Sequence, residues 1–204
     1  MTVLLIRHGE TPLNVARVLQ PADTPLSQRG VLQAEALAQR LAALRPVAIL
    51  SSDLPRAWQT AECIAAVTGA SIEVSALLRE RNFGDWRGQP YDTLDVDPLT
   101  WRDAPPGGES TAEFEARVAL AFAHIVQRSA RAGGTLAVVT HGLVIRAMLT
   151  AHVQLPASMS APTHMGNTGL SVFEVRSPHF ATLVNCTRHL EQAMRDDAQA
   201  LSGG

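Results

Sequence analysis

Short apolar runs punctuate this chain at residues 3–6, 47–50 and 136–139, with a further short strand expected at 72–74, and between them apolar residues recur every three or four positions. Strands buried on both faces read as unbroken apolar runs, and the helices covering them read at the helical period. The alternation therefore calls for an α/β fold, a mostly parallel sheet with helices on both faces.

The individual elements carry their own start and stop signals. From Ser27, a good N-cap, the positions Val31, Ala34, Ala38 and Leu41, joined by Leu37 and Leu44, form one apolar stripe, and Pro46 ends that helix. A second helix spans about 53–67 and stops at Gly69. Ser110 with Glu113 makes a capping box for a helix that runs to Ala132 and closes at Gly133-Gly134. A helix over 143–153 and an antiparallel pair, 171–175 with 182–184, complete the pattern. Residues 84–108 hold four Gly and four Pro, show no sustained period, and predict a long loop or lid of the functional or mobile kind. No linker is visible. The reading is one domain over 1–190 followed by a polar tail, 191–204, that frays.

Composition narrows the ligand. In 204 residues, 17 Lys plus Arg face 19 Asp plus Glu, and only nine residues are aromatic (five Phe, three Trp, one Tyr), which argues against nucleic acid as partner. Cys63 and Cys186 lie far apart and make no short-spaced zinc or dithiol motif, so both are expected as reduced core residues. No segment has the roughly 18 uninterrupted apolar residues of a membrane helix, and the first apolar run is too short for a signal-peptide core. The expected setting is the cytoplasm, with no membrane partner.

Three of the apolar runs lead directly into polar residues and then a helix: Arg7-His8-Gly9-Glu10, Ser51-Ser52-Asp53-Leu54-Pro55-Arg56 and Thr140-His141-Gly142. In an open parallel sheet such junctions share the carboxyl edge, where these folds bind ligands. Two imidazoles and two guanidiniums can thus converge, and helices starting near Asp53 and Gly142 aim amide N–H groups and positive dipole ends at the same place. Either histidine alone is as well explained as a hydrogen-bonded core residue. The repetition, VLLIRHG and LAVVTHG beside an arginine-bearing third junction, favours a phosphate site. The other histidines (His124, His152, His164, His179, His189) show no i, i+4 pair of the metal-binding kind, and Asp196-Asp197 reads as a solvated face.

These residues carry a family resemblance. Arg7-His8-Gly9-Glu10-Thr11 with Asn14, Pro25-Leu26-Ser27-Gln28-Arg29-Gly30, Ser52-Asp53-Leu54-Pro55-Arg56-Ala57, Leu78-Arg79-Glu80 with Phe83-Gly84, Gly107-Gly108-Glu109-Ser110 and Thr140-His141-Gly142 resemble the histidine phosphatase superfamily, the phosphoglycerate-mutase-like fold, over about residues 3–190. The resemblance implies a three-layer α/β/α sandwich with an antiparallel strand near the C-terminus and catalysis without a cofactor or metal. It also implies roles: His8 as nucleophile, Arg7, Arg56 and His141 as the phosphate pocket, Glu80 as proton donor, and Asn14 with the Gly142 N–H as further phosphate contacts. Asp85 and Glu10 are the competing acids.

The implied ligand is a small phosphate monoester. Mutases of the family carry a longer, basic insertion before the Gly-Gly-Glu-Ser stretch, whereas residues 89–108 offer Arg102 against Asp92, Asp95, Asp97 and Asp103. Holding a second phosphate through a turnover needs positive charge, so the expectation is a phosphatase acting on a monoester of a sugar, nucleoside or hydroxy acid. The alternatives are a phosphoglycerate mutase and a non-catalytic phospho-ligand binder of the same fold. Trp86, Tyr91 and Trp101 either line the outer pocket or pack the lid. Oligomeric state is left open, a homodimer included.

Overall fold

A computed structural model describes residues 1–157, 159–191 and 194. The polar tail beyond 191 falls outside them, apart from Met194, as does the Asp196-Asp197 pair. The elements are β1 (Thr2–Arg7), α1 (Pro12–Val15), α2 (Gln28–Ala42), β2 (Ala48–Ser51), α3 (Pro55–Thr68), β3 (Ser71–Val74), α4 (Thr111–Ala132), β4 (Leu136–Thr140), α5 (Gly142–Ala151), β5 (Leu170–Glu174) and β6 (Ala181–Cys186). The sheet runs β3-β2-β4-β1-β5-β6. β1, β2, β3 and β4 pair in parallel, and β5 is antiparallel to both β1 and β6.

The runs of β1, β2 and β4 lack polar alternation because both faces are covered, whereas β3, at the sheet edge, carries Glu73 between Ile72 and Val74 and is largely exposed. Val3 and Leu5 point with Leu50, Leu136 and Val138 into a core shared with α4 and α5. Leu4 and Ile6 point with Ile49, Ala137 and Val139 into a second core against α2 and α3. Burying one such side chain contributes roughly 1.5–3 kcal/mol, so the two cores outweigh the cost of holding charged groups at the sheet edge. Ser27 and Ser110 cap α2 and α4 as their sequences predict, and Gly69 and Gly133 end α3 and α4 in the left-handed conformation.

Two expectations change. Val31 and Leu44 leave the apolar stripe, at 37% and 42% exposed, while its other members, Ala34, Leu37, Ala38 and Leu41, are buried as expected. Leu44 lies beyond the last helical residue, where the phase of the stripe no longer applies. Cys63 and Cys186 are free thiols but only half-buried. Among the described residues, no helix is long and apolar enough to cross a membrane.

Candidate active site

Register decides which side chains meet. Arg7 pairs with Thr140 across β1 and β4, so the next residues, His8 and His141, leave the sheet side by side. Their rings lie 5.1 Å apart at 60°. Ser51 pairs with Val139 on the other side of β4, which brings Ser52 to the same edge. Gly9 and Gly30 let the chain after His8 pass tightly over α2: a Cβ on Gly9 would stand 2.5 Å from the Gly30 carbonyl oxygen, and one on Gly30 would stand 2.0 Å from that of Glu10.

His8 is fully buried, and its backbone is held on both sides. Its N–H donates to the Thr140 carbonyl at 3.0 Å, and its own carbonyl accepts from Thr168 N–H and Asn167 Nδ2, both at 3.2 Å. The ring is fixed through Nδ1, 2.7 Å from the Gly9 carbonyl oxygen. A carbonyl only accepts, so Nδ1 carries the proton and Nε2 carries a lone pair. Among the described residues Nε2 has no hydrogen-bond partner. Burial first, then the charges of Arg56 and Arg7, holds the His8 pKa well below 6.5.

His141 is also fully buried and lowered, by burial and then by Arg56, His8 and Arg7. Its attachment is the reverse of His8: Nε2 lies 2.9 Å from Ser52 Oγ, and Nδ1 has no partner among the described residues. Arg7 and Arg56 are the two largest fully buried side chains. Arg7 donates to the Met165 carbonyl, and Arg56 Nη1 to the Pro21 carbonyl at 3.4 Å. Burial lowers Arg56 to about 10. Two buried guanidiniums beside two imidazoles are a net positive site that only an anion completes.

Glu80 reaches this site from the segment after β3. Oε1 accepts the Arg81 N–H at 3.0 Å, and Oε2 accepts the Leu143 N–H, in the first turn of α5, at 3.1 Å. Burial raises its pKa despite those two bonds and the nearby arginines. The competing acids go elsewhere: Glu10 accepts from Ser27 Oγ at 2.8 Å and pairs with Arg29, and Asp85 is exposed. Asn14 is buried as the third residue of α1, its Oδ1 accepting from Thr11 N–H at 3.0 Å, which leaves the Nδ2 amino group as its donor. Gly142 opens α5, for which His141 provides no side-chain cap. Among the described residues, no group of three or more His, Cys, Asp or Glu could hold a metal ion.

The pattern that describes the histidine phosphatase superfamily (branch 1) matches residues 3–187. The chain belongs to that superfamily. It is 37% identical to the glucosyl-3-phosphoglycerate phosphatase of Mycobacterium tuberculosis over 181 residues, 81% of each chain. Identity to the Yersinia pestis protein named "Probable phosphoglycerate mutase GpmB" is 32% over 215 residues, 98% of this chain and 99% of that one. The solved structure of Bacillus stearothermophilus YhfR superposes with a TM-score of 0.79 at 31% identity, covering 93% of this chain and 99% of the other.

In this member of the superfamily, sequence reasoning missed the segment 165–169, which closes the site from the far side. Met165, Asn167 and Thr168 are fully buried: the Met165 carbonyl accepts from Arg7, and Thr168 N–H and Asn167 Nδ2 donate to the His8 carbonyl, contacts to backbone atoms that leave no spacing pattern to find. Asn167 Nδ2 also reaches Asn14 Oδ1 at 3.4 Å, and Thr168 adopts a positive φ of 53°. The expected lid, residues 84–108, is anchored from the segment that carries Glu80. Arg81 fastens it, donating to the carbonyls of Trp101 at 2.8 Å, Glu109 at 3.1 Å and Asp103 at 3.2 Å. Tyr91 is buried in the core, Trp86 packs against that core, and Trp101 sits 6.3 Å from Trp86, so these rings pack the lid. Asp92, Asp95, Asp97 and Asp103 are exposed, and none lines the cavity beside Glu80.

Proposed function

We propose that this chain is a metal-independent phosphomonoesterase that works through a phosphohistidine on His8, with a small phosphorylated metabolite as substrate and the cytoplasm as its setting. The observation that carries the reading is the His8 ring itself, pinned through Nδ1 so that a deprotonated Nε2 faces a site bordered by Arg7 and Arg56. The higher-identity relative is named a phosphatase. Residues 89–108 offer Arg102, which is exposed, as their one basic side chain, a poor holder for the second phosphate of a mutase intermediate.

In the first step Nε2 attacks phosphorus in line with the ester oxygen, the N–P bond forming as the P–O bond breaks. Arg7, Arg56, His141, Asn14 Nδ2 and the Gly142 N–H bind the equatorial oxygens, where charge is spread. Glu80, whose pKa burial raises, gives its proton to the departing alkoxide. Water then attacks the phosphohistidine, Glu80 takes a proton from it, and phosphate leaves.

Phosphate release from a panel of monoesters, with chelator present, tests this. The parent should turn over and His8→Ala should not. Protein quenched during turnover should carry an acid-labile phosphoryl group at His8. Full activity in His8→Ala, or isomerised phosphoglycerate in place of free phosphate, overturns the reading.

A further inference from the structure

A cavity of about 450 Å³ opens beside Glu80, where the alcohol half of a phosphomonoester would lie, and its walls include Arg79, Asn82, Arg87, Glu109 and Arg117. Most of these charges are already matched. Arg79 is bound to Asp53, with its Nε 2.8 Å from Oδ1. Arg117 grips Glu109 through two bonds of 2.7 and 2.8 Å, and Glu109 also accepts the Asn82 N–H at 2.8 Å. Both oxygens of Glu80 are occupied by backbone amides.

Arg87 is the exception. Its guanidinium is half-buried and, among the described residues, makes no hydrogen bond or ion pair. Its backbone is nonetheless fixed, since Arg87 N–H donates to the Gly84 carbonyl at 3.1 Å and Gly88 N–H to the Leu19 carbonyl at 2.7 Å. Partial burial first, then the charge of Arg79, lowers its pKa against an opposing pull from Glu109, and its own charge contributes to lowering Arg56. A half-buried cation that makes no hydrogen bond or ion pair among the described residues, on the wall of the site mouth, is matched to an anionic group on the ligand.

We propose that Arg87 receives a carboxylate of the substrate, so that the preferred substrates are phosphomonoesters of small hydroxy acids. The inference rests on the phosphomonoesterase reading and narrows it. One positive charge without a hydrogen-bonded partner among the described residues balances one carboxylate, whereas a second phosphate dianion would exceed it.

The test uses two esters of matching skeleton, 3-phosphoglycerate and glycerol 3-phosphate, which differ in a carboxylate against a hydroxymethyl group. The parent should favour phosphoglycerate by about tenfold or more in kcat/KM, the size expected of a charge-assisted contact. Arg87→Gln should lower phosphoglycerate turnover through KM by roughly tenfold, and at least several times more than glycerol phosphate turnover. Arg87→Lys should restore part of the preference. Equal turnover of the two esters by the parent, or parallel losses on both in Arg87→Gln, overturns the assignment while leaving the phosphatase intact. Failure of the parent to release phosphate from either ester, or from p-nitrophenyl phosphate, overturns the phosphatase reading and this one with it.

Discussion

The two His-Gly junctions invite comparison because they begin alike and end differently. VLLIRHG and LAVVTHG each run from a buried strand to a fully buried imidazole, on neighbouring parallel strands in matched register. Yet His8 is tethered through Nδ1 to the next carbonyl and leaves Nε2 open, while His141 is tethered through Nε2 to a hydroxyl and leaves Nδ1 open. A carbonyl dictates its partner's tautomer, and a hydroxyl can donate or accept. His8 is thereby committed to a lone pair on Nε2, and His141 keeps both protonation patterns open to the ligand. In the proposed mechanism the same local sequence thus supplies a nucleophile at one junction and a phosphate contact at the other.

Replacing each histidine in turn should break that similarity most clearly. His8→Gln removes the attacking atom, and kcat should fall about 10⁴-fold or more, as when a covalent nucleophile is lost. His141→Gln removes a contact to developing charge, and the loss should be about 10²–10³-fold. A phosphoryl group should still be trapped on His8 in the second variant. Equal losses, with no trapped intermediate in either, would mean that tautomer does not separate the roles.

The next effect concerns Glu80. At ordinary values a neutral imidazole, above pH 6.5, and a protonated glutamic acid, below 4.5, hardly coexist. Here the two shifts run toward each other, His8 well down and Glu80 up, which opens a window for both active forms. Activity should fall on the acid side only well below pH 6.5, as His8 takes a proton, and on the alkaline side as pH rises through the raised Glu80 value. Glu80→Gln should cost about 10²–10⁴-fold and flatten the alkaline limb, and kcat/KM against pH reads both. Stability follows the same shifts with its own signs. Both imidazoles resist protonation in the folded state, so stability is lost as pH falls below about 6.5, where the unfolded chain gains protons. The Glu80 contribution is full below pH 4.5 and lost as pH rises through its raised value.

Much of this was legible in the sequence, for a physical reason. Strands buried on both faces and helices with serine caps leave periodic traces, and the strand-to-helix junctions carry His8, Arg56 and His141 to one edge whatever the loops do. What stayed hidden depends on backbone partners. Arg81 looks like any loop arginine, and only its carbonyl acceptors show that it fastens the lid. The helix α1 is four residues long, too short for a period, and is held by the reciprocal Thr11 and Asn14 bonds. Asn167 and Thr168 matter through the His8 carbonyl, 159 residues away in the case of Asn167. Arg87 is defined by the partners its neighbours already have, which no spacing reveals.

Ser52 offers the finest separation of the two junctions. Two serines stand at the end of β2, and they divide the work: Ser51 Oγ donates to the Ser52 carbonyl at 2.8 Å, while Ser52 Oγ lies 2.9 Å from His141 Nε2 and accepts the Leu54 N–H at 3.3 Å. Ser52→Ala therefore frees the His141 ring and unsatisfies one buried amide before α3, with no direct contact to His8. The expected cost is about 1 kcal/mol of stability, or roughly 2–4 °C in Tm for a chain of this size. Turnover should drop by less than in His141→Gln, with the phosphoryl group still forming on His8. If Ser52→Ala instead abolished labelling of His8 while Tm held, the hydroxyl would be acting on the nucleophile, and the division between the junctions would have to be redrawn around it.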